Sequence, residues 1–257
     1  MDKLKKKYCM TTFPLLPNLL TSLGILSIVF LFLLLNRNNV RSWTYFLHFS
    51  LAFIFIQLLY PLGDKLQVRW WPSLQYAWIA KLLSLAVVTG VYLIFMPALF
   101  GQFGWKVRFN GAYLRPTLLL SLVLILFKCI TNYMDTTKEA VTLERWLYQI
   151  SLPGLEEEIV FRGLFLVLFR EMFKTDAVFL TKSVALDALL VTLVFALVHS
   201  FQIDGTWHVA FNPILFISSG FAGFVYMWLR MKHESLAPPI VCHNAVNTLI
   251  TFVQWIK

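Results

Sequence analysis

Ionised and imidazole side chains are costly inside apolar helices, so those that persist there mark candidate chemistry. In this sequence they gather in the C-terminal half. Residues 155–169 carry Glu156, Glu157, Glu158 and Arg162 among apolar neighbours, His199 ends the next apolar run, and His243 and Asn247 lie in the last one. A carboxylate in a suitable environment can act as a general base. An imidazole and a carboxamide side by side on one helix face are two donors that can point at one developing oxyanion.

Spacing sorts these residues. Glu158 and Arg162 are four apart, so they share a helix face and can pair, which lowers the cost of burying each. Glu157 is rotated by about 100° from Glu158 on a regular helix and faces a different neighbour. Two adjacent carboxylates in unlike environments form a pattern in which one can serve as a base. Phe195 and His199 share a face, as do His243 and Asn247. Plainer readings exist for each feature: a structural ion pair, an interfacial histidine, and interhelical hydrogen bonding. Glu156 is expected at headgroup level or as a cap on the helix start. The conjunction on successive segments favours chemistry, because the earlier runs carry only His48, Gln57, Lys81 and Lys128. Of these, Lys81 is expected to snorkel to the interface.

The elements that must position these residues are membrane helices. The 257 residues are 59% hydrophobic and 14% charged, against about a quarter charged in soluble domains. A bilayer core of about 30 Å takes about 20 residues of helix. Apolar runs near that length cover 13–35, 43–60, 79–100, 117–134, 146–169, 184–198, 213–229 and 236–256. The expected fold is an all-α polytopic membrane protein, a bundle of about eight transmembrane helices. Residues 1–142 are expected to hold about four N-terminal spans and 143–257 the catalytic core. Run 146–169 reads as interrupted at Pro153-Gly154 and by its charges, and 135–145 as an interfacial connection or short amphipathic helix.

Net charge is +9, but the positive residues punctuate run ends, as with Lys65 and Arg69, Lys106 and Arg108, and Arg230 and Lys232. There they meet lipid phosphates; no basic stripe interleaved with aromatics exists, so nucleic acid is excluded as a partner and the lipid bilayer is expected. The cluster Lys3, Lys5, Lys6 and Lys7 reads the same way and favours a cytoplasmic start. The run 13–35 is too long for a signal-peptide core and reads as a retained span. Cys9, Cys129 and Cys242 show neither metal-ligand spacing nor a disulfide framework.

Read as Glu157-Glu158-x-x-x-Arg162, then Phe195-x-x-x-His199, then His243-x-x-x-Asn247, the chain resembles the CPBP family of intramembrane glutamic endopeptidases. That family includes the type II CaaX prenyl proteases and the Abi-type bacteriocin-immunity proteins. The surroundings agree: EEIVFRGLF over 157–165, SLAPPI over 235–240, and the small-residue run GFAGFVYMWLR over 220–230. The resemblance covers about residues 150–250. It implies that Glu157 and His199 hold and deprotonate the attacking water, that His243 and Asn247 stabilise the oxyanion, and that Glu158 and Arg162 orient the site. It further implies no metal or cofactor, and a membrane-associated protein or peptide substrate, prenylated CaaX termini being one class. The stretch 201–211 is more polar than the family suggests and reads as a substrate-facing loop with Asp204 and His208 exposed. Chain length and the absence of long loops favour a bacterial inner membrane.

Several rivals are weighed against this reading. A zinc protease ligated by Glu157, His199 and His243 lacks H-E-x-x-H. A rhomboid-type serine protease needs G-x-S-x-G, which is absent, and Leu62-Gly63-Asp64 lacks the first glycine of a presenilin-type G-x-G-D. No inverted repeat of interrupted helices suggests a transporter. A non-proteolytic immunity or scaffold protein remains the alternative from another class.

Overall fold

The computed structural model describes residues 15–95, 97–134, 141–173, 185–204 and 206–256. Over these the chain is helical apart from one hairpin and connecting turns. The helices are α1 (Leu15–Leu35), α2 (Thr44–Trp70), α3 (Trp78–Phe95), α4 (Leu114–Met134), α5 (Leu143–Glu158), α6 (Leu166–Met172), α7 (Leu186–Ser200), α8 (Pro213–His233) and α9 (Ala237–Ile256). A π-helical segment, Ile159–Phe165, joins α5 to α6 without a break, so the described chain has eight helical segments. Among the described residues four are long and apolar enough to cross a membrane: α1, α2, Gly111–Met134 (which contains α4) and α8. The Trp78–Gly90 part of α3 and α7 are apolar but shorter. The all-α membrane class holds, while the spanning criterion is met by fewer helices than the apolar runs suggest. The charges that mark the C-terminal half also lower its hydropathy. The Lys cluster at 3–7 and the connection 135–140 lie outside the described residues.

Three local features position the site. First, α2 continues past residue 60 through Pro61 to Trp70. Buried Gln67 then stitches the turn into α3, donating to Tyr76 O at 2.6 Å and accepting from Ile79 N at 3.2 Å. Glu144, at the start of α5, accepts from the backbone of Gln75 and Tyr76 and from Trp78 Nε1, tying that turn to α5. Where α2 and α3 cross, a Cβ on Gly63 would sit 2.3 Å from Ala80 Cα. Gly63→Val is therefore expected to force the helices apart and displace neighbouring Lys81, costing about 1–3 kcal/mol. Thermal unfolding in detergent checks this, and Ala80→Gly should not rescue it because the clash is with backbone.

Second, α5 runs unbroken through Pro153. The expected interruption does not occur because a neighbour serves the local backbone: Asn244 of α9 accepts from Gly154 N at 2.9 Å and donates to Ser151 O at 3.1 Å. Gly154 permits this approach, since a Cβ there would meet Asn244 Oδ1 at 2.4 Å. Third, Phe49 and Phe53 of α2 pack on Phe165 and Phe169, with centroids of Phe49 and Phe169 4.6 Å apart. This aromatic cluster fixes the π segment against the N-terminal helices.

Residues 201–211 form an antiparallel hairpin, β1 (Phe201–Ile203) and β2 (Val209–Phe211), rather than an irregular loop. Asp204 Oδ1 organises its turn, accepting from Thr206 N, Thr206 Oγ1 and His208 N, and those donors hold its carboxyl below the ordinary value. Asp204 and His208 are exposed, as expected. The hairpin rests on α1, where Thr21 Oγ1 accepts from Ile203 N at 2.8 Å.

Candidate active site

Glu156, Glu157 and Glu158 end α5 at its junction with the π segment, a kind of helix irregularity that recurs at functional sites. Consecutive positions point their side chains to different sides; Lys81 is shared between Glu156 and Glu157, and His243 lies between Glu157 and Glu158.

Glu158 is fully buried. Its Oε1 accepts from Arg162 Nη1 at 3.2 Å and from His243 Nδ1 at 2.8 Å. The Arg162 guanidinium, also fully buried, donates through Nη2 to Gly223 O of α8 and lies 4.3 Å over the Phe195 ring. The pairing expected from spacing is present, and it extends to the histidine of the third motif. Tyr226 stacks on the His243 imidazole at 4.6 Å and 13°, completing a rigid mount for that ring.

Glu157 faces the other way. Its Oε1 accepts from Lys81 Nζ at 2.9 Å. Its Oε2 is buried, accepts no hydrogen bond among the described residues, and lies 3.7 Å from His199 Nε2 and 3.8 Å from His243 Nε2. The first, second and third motifs therefore meet around one carboxylate oxygen. His199, in the last turn of α7, has Nδ1 2.8 Å from Phe195 O. A carbonyl only accepts, so Nδ1 carries the hydrogen, and in the neutral ring Nε2 presents a lone pair toward Glu157. The same logic holds for His243, whose Nδ1 donates to Glu158.

Asn247 sits one turn beyond His243 on α9, half-buried, and among the described residues its carboxamide makes no hydrogen bond. It shares the helix of His243, and no contact ties it to Glu157 or His199.

Two expectations are corrected. Glu156 is not at headgroup level: it is fully buried and accepts from Tyr60 Oη at 2.9 Å, Lys81 Nζ at 2.9 Å and Ser84 Oγ at 2.5 Å. Lys81 does not snorkel. It is 6% exposed and bridges Glu156 and Glu157, because two carboxylates waiting inside the bundle compensate the ammonium better than the interface would. Sequence reasoning thus missed Tyr60, Lys81 and Ser84 from the N-terminal helices, along with Asn244 and Tyr226. Lys81 was visible as a charge inside an apolar run, but nothing in the spacing of the first four runs linked it to residues 156 and 157.

A cavity of about 320 Å³ opens beside the cluster, with Glu157, His199 and Lys81 on its polar side and Phe53, Ile56 and Phe161 among its apolar walls. Among the described residues no group of three His, Cys, Asp or Glu side chains has the geometry of a metal site.

Comparison with known proteins gives one family match. Residues 140–249 match the family model described as type II CAAX prenyl endopeptidase Rce1-like. No curated protein and no solved structure matches the chain. The matched segment contains all three motifs and ends just beyond Asn247, so the C-terminal membrane helices of this chain are similar to the type II CAAX prenyl endopeptidase family.

Proposed function

We propose that the protein is a glutamic intramembrane endopeptidase that hydrolyses peptide bonds of membrane-associated substrates with water activated by Glu157 and His199. The observation that supports it most directly is the convergence of His199 Nε2 and His243 Nε2 on the unpaired Glu157 Oε2. A water held between Glu157 and His199 gives up a proton as its oxygen attacks the scissile carbonyl carbon. That proton is passed to the departing amine, so the products are a carboxylic acid and an amine and no other reactant is consumed. Either Nε2, once protonated, becomes a donor for the oxyanion, and the Asn247 carboxamide is a donor without protonation. Lys81 holds the other oxygen of Glu157, and Glu158 with Arg162 orients His243. The apolar cavity offers space for a substrate group beside Glu157. The substrate class named by the family, a prenylated CaaX terminus, fits an enzyme whose site lies among membrane helices.

The test is cleavage of a fluorogenic CaaX peptide, with and without its prenyl group, by purified protein in liposomes. Cleavage of the prenylated peptide should persist in excess chelator and vanish in His199→Ala with the fold intact. Loss on chelation and recovery with zinc would replace the water-activation scheme with a metal-dependent one. Cleavage unchanged in folded His199→Ala would remove this site from the reaction.

A further inference from the structure

A second cavity, of about 340 Å³, lies away from the carboxylate cluster, where α6 and α8 end and the α3–α4 connection passes over them. Four cationic side chains line it, Lys106, Arg108, Arg170 and Arg230, against one carboxylate, Glu234. The region stays net positive once the neighbouring carboxylates are counted. Arg108 and Glu234 are 3.9 Å apart and largely exposed, a contact of little strength. Asp187 engages Arg170 at 3.1 Å, and Glu171 engages the Gln102 amide at 3.0 Å. Lys106 has no acidic partner among the described residues.

The floor is built, not merely charged. Arg230 is 3% exposed, and its Nε and Nη2 donate to two backbone carbonyls, Arg162 O at 3.2 Å and Gln102 O at 2.7 Å. Neutral carbonyls fix the guanidinium without cancelling its charge, and its Nη1 makes no hydrogen bond among the described residues. Gly104 closes over it at φ +83°, where a Cβ would sit 2.6 Å from Arg230 Cζ. The rim is held independently, because Ser235 Oγ accepts from Arg108 N at 3.2 Å and donates to Lys106 O, pinning the loop to the α8–α9 turn. A fixed, uncompensated guanidinium under a ring of further cations matches the fork geometry and charge of a phosphate group.

We propose that this cavity binds a phosphate oxyanion, presented either by an anionic phospholipid headgroup or free in solution. Its position at the end of the α8 span, with exposed Val107 and Phe109 on the same loop, places it where headgroups lie. The site does not depend on the peptidase reading.

Thermal unfolding of the full chain in neutral detergent tests it with two probes: dioctanoyl phosphatidylglycerol, and sodium phosphate against chloride at equal ionic strength. One probe should raise the melting temperature by about 2–5 °C near saturation. Lys106→Ala/Arg108→Ala should lose most of that shift, whereas Lys65→Ala/Arg69→Ala, which removes the same charge from exposed positions on α2, should keep it. Protection by the lipid alone assigns the site to a headgroup, and protection by phosphate assigns it to the free anion. Arg230→Gln should also abolish protection; because that buried side chain holds backbone, the Lys106/Arg108 variant on the exposed loop decides the matter. No protection by either probe, or equal protection of the wild type and Lys106→Ala/Arg108→Ala, overturns the proposal.

Discussion

Glu157→Gln is expected to leave a folded protein that no longer turns over substrate. The substitution keeps size and shape, and the amide oxygen can still accept from Lys81, whose ammonium lies 2.9 Å from Glu157 Oε1. It also relieves the buried charge balance. Glu156 and Glu157 share Lys81 as their ammonium partner, so removing one negative charge leaves a neutral Lys81–Glu156 pair. Thermal stability should therefore stay at or above that of the parent. The chemistry does not survive, because an amide cannot take the proton from water. Loss of general-base help costs about 10²–10⁴-fold, and the site also loses the charge that would steady a newly formed imidazolium at 3.7 Å. Cleavage in liposomes should fall by at least about 10³-fold with an unchanged melting curve. Activity within tenfold of the parent in a folded Glu157→Gln protein would show that this carboxylate is not the base. Glu158→Gln is the informative neighbour: it weakens the mount of His243 without touching the water position, so it should leave measurable turnover.

The second large effect concerns a residue outside the family motifs. Lys81→Met is expected to destabilise the protein by about 3–5 kcal/mol, because it strands two buried carboxylates without their cation. Glu156 would retain hydrogen bonds from Tyr60 and Ser84, but hydroxyl donors do not neutralise it. Glu157 would lose the ammonium that fixes its Oε1. The double variant Lys81→Met/Glu156→Gln should recover part of the loss, since one fewer charge is then buried unpaired, and the shortfall from additivity measures the coupling. Unfolding midpoints of the four proteins of this cycle are the readout. If Lys81→Met unfolds with the parent, the ammonium contributes nothing to holding the carboxylates, and its place in the site is incidental.

The contrast between these two residues shows what could be read along the chain and what could not. The membrane class, the helical character and the approximate limits of most helices follow from local information, apolar run length and the positions of charge within it, although α2 runs ten residues past its apolar run. The Glu158–Arg162 pair follows from a four-residue spacing that a helix converts into a contact, and residues 140–249, which contain the ordered motifs, match the family model. What spacing could not supply is which side of one helix meets which side of another. Lys81 lies 76 positions from Glu157, and on its own helix the inward and snorkelling conformations of a lysine are both allowed. Only the crossing of α2 and α3 at Gly63 and the waiting pair of carboxylates select the inward one. Glu156 was assigned to the interface for the same reason, because its partners Tyr60, Lys81 and Ser84 come from other helices. Pro153 shows the same limit in the backbone: a proline and a glycine locally favour a break, and Asn244, 90 residues on, removes the reason for one. Local sequence determined the elements and the types of group available for chemistry. Tertiary packing alone decided that Glu157 should hold one oxygen against an ammonium and turn the other toward two imidazoles, because that arrangement depends on several helices whose relative rotation no single segment encodes.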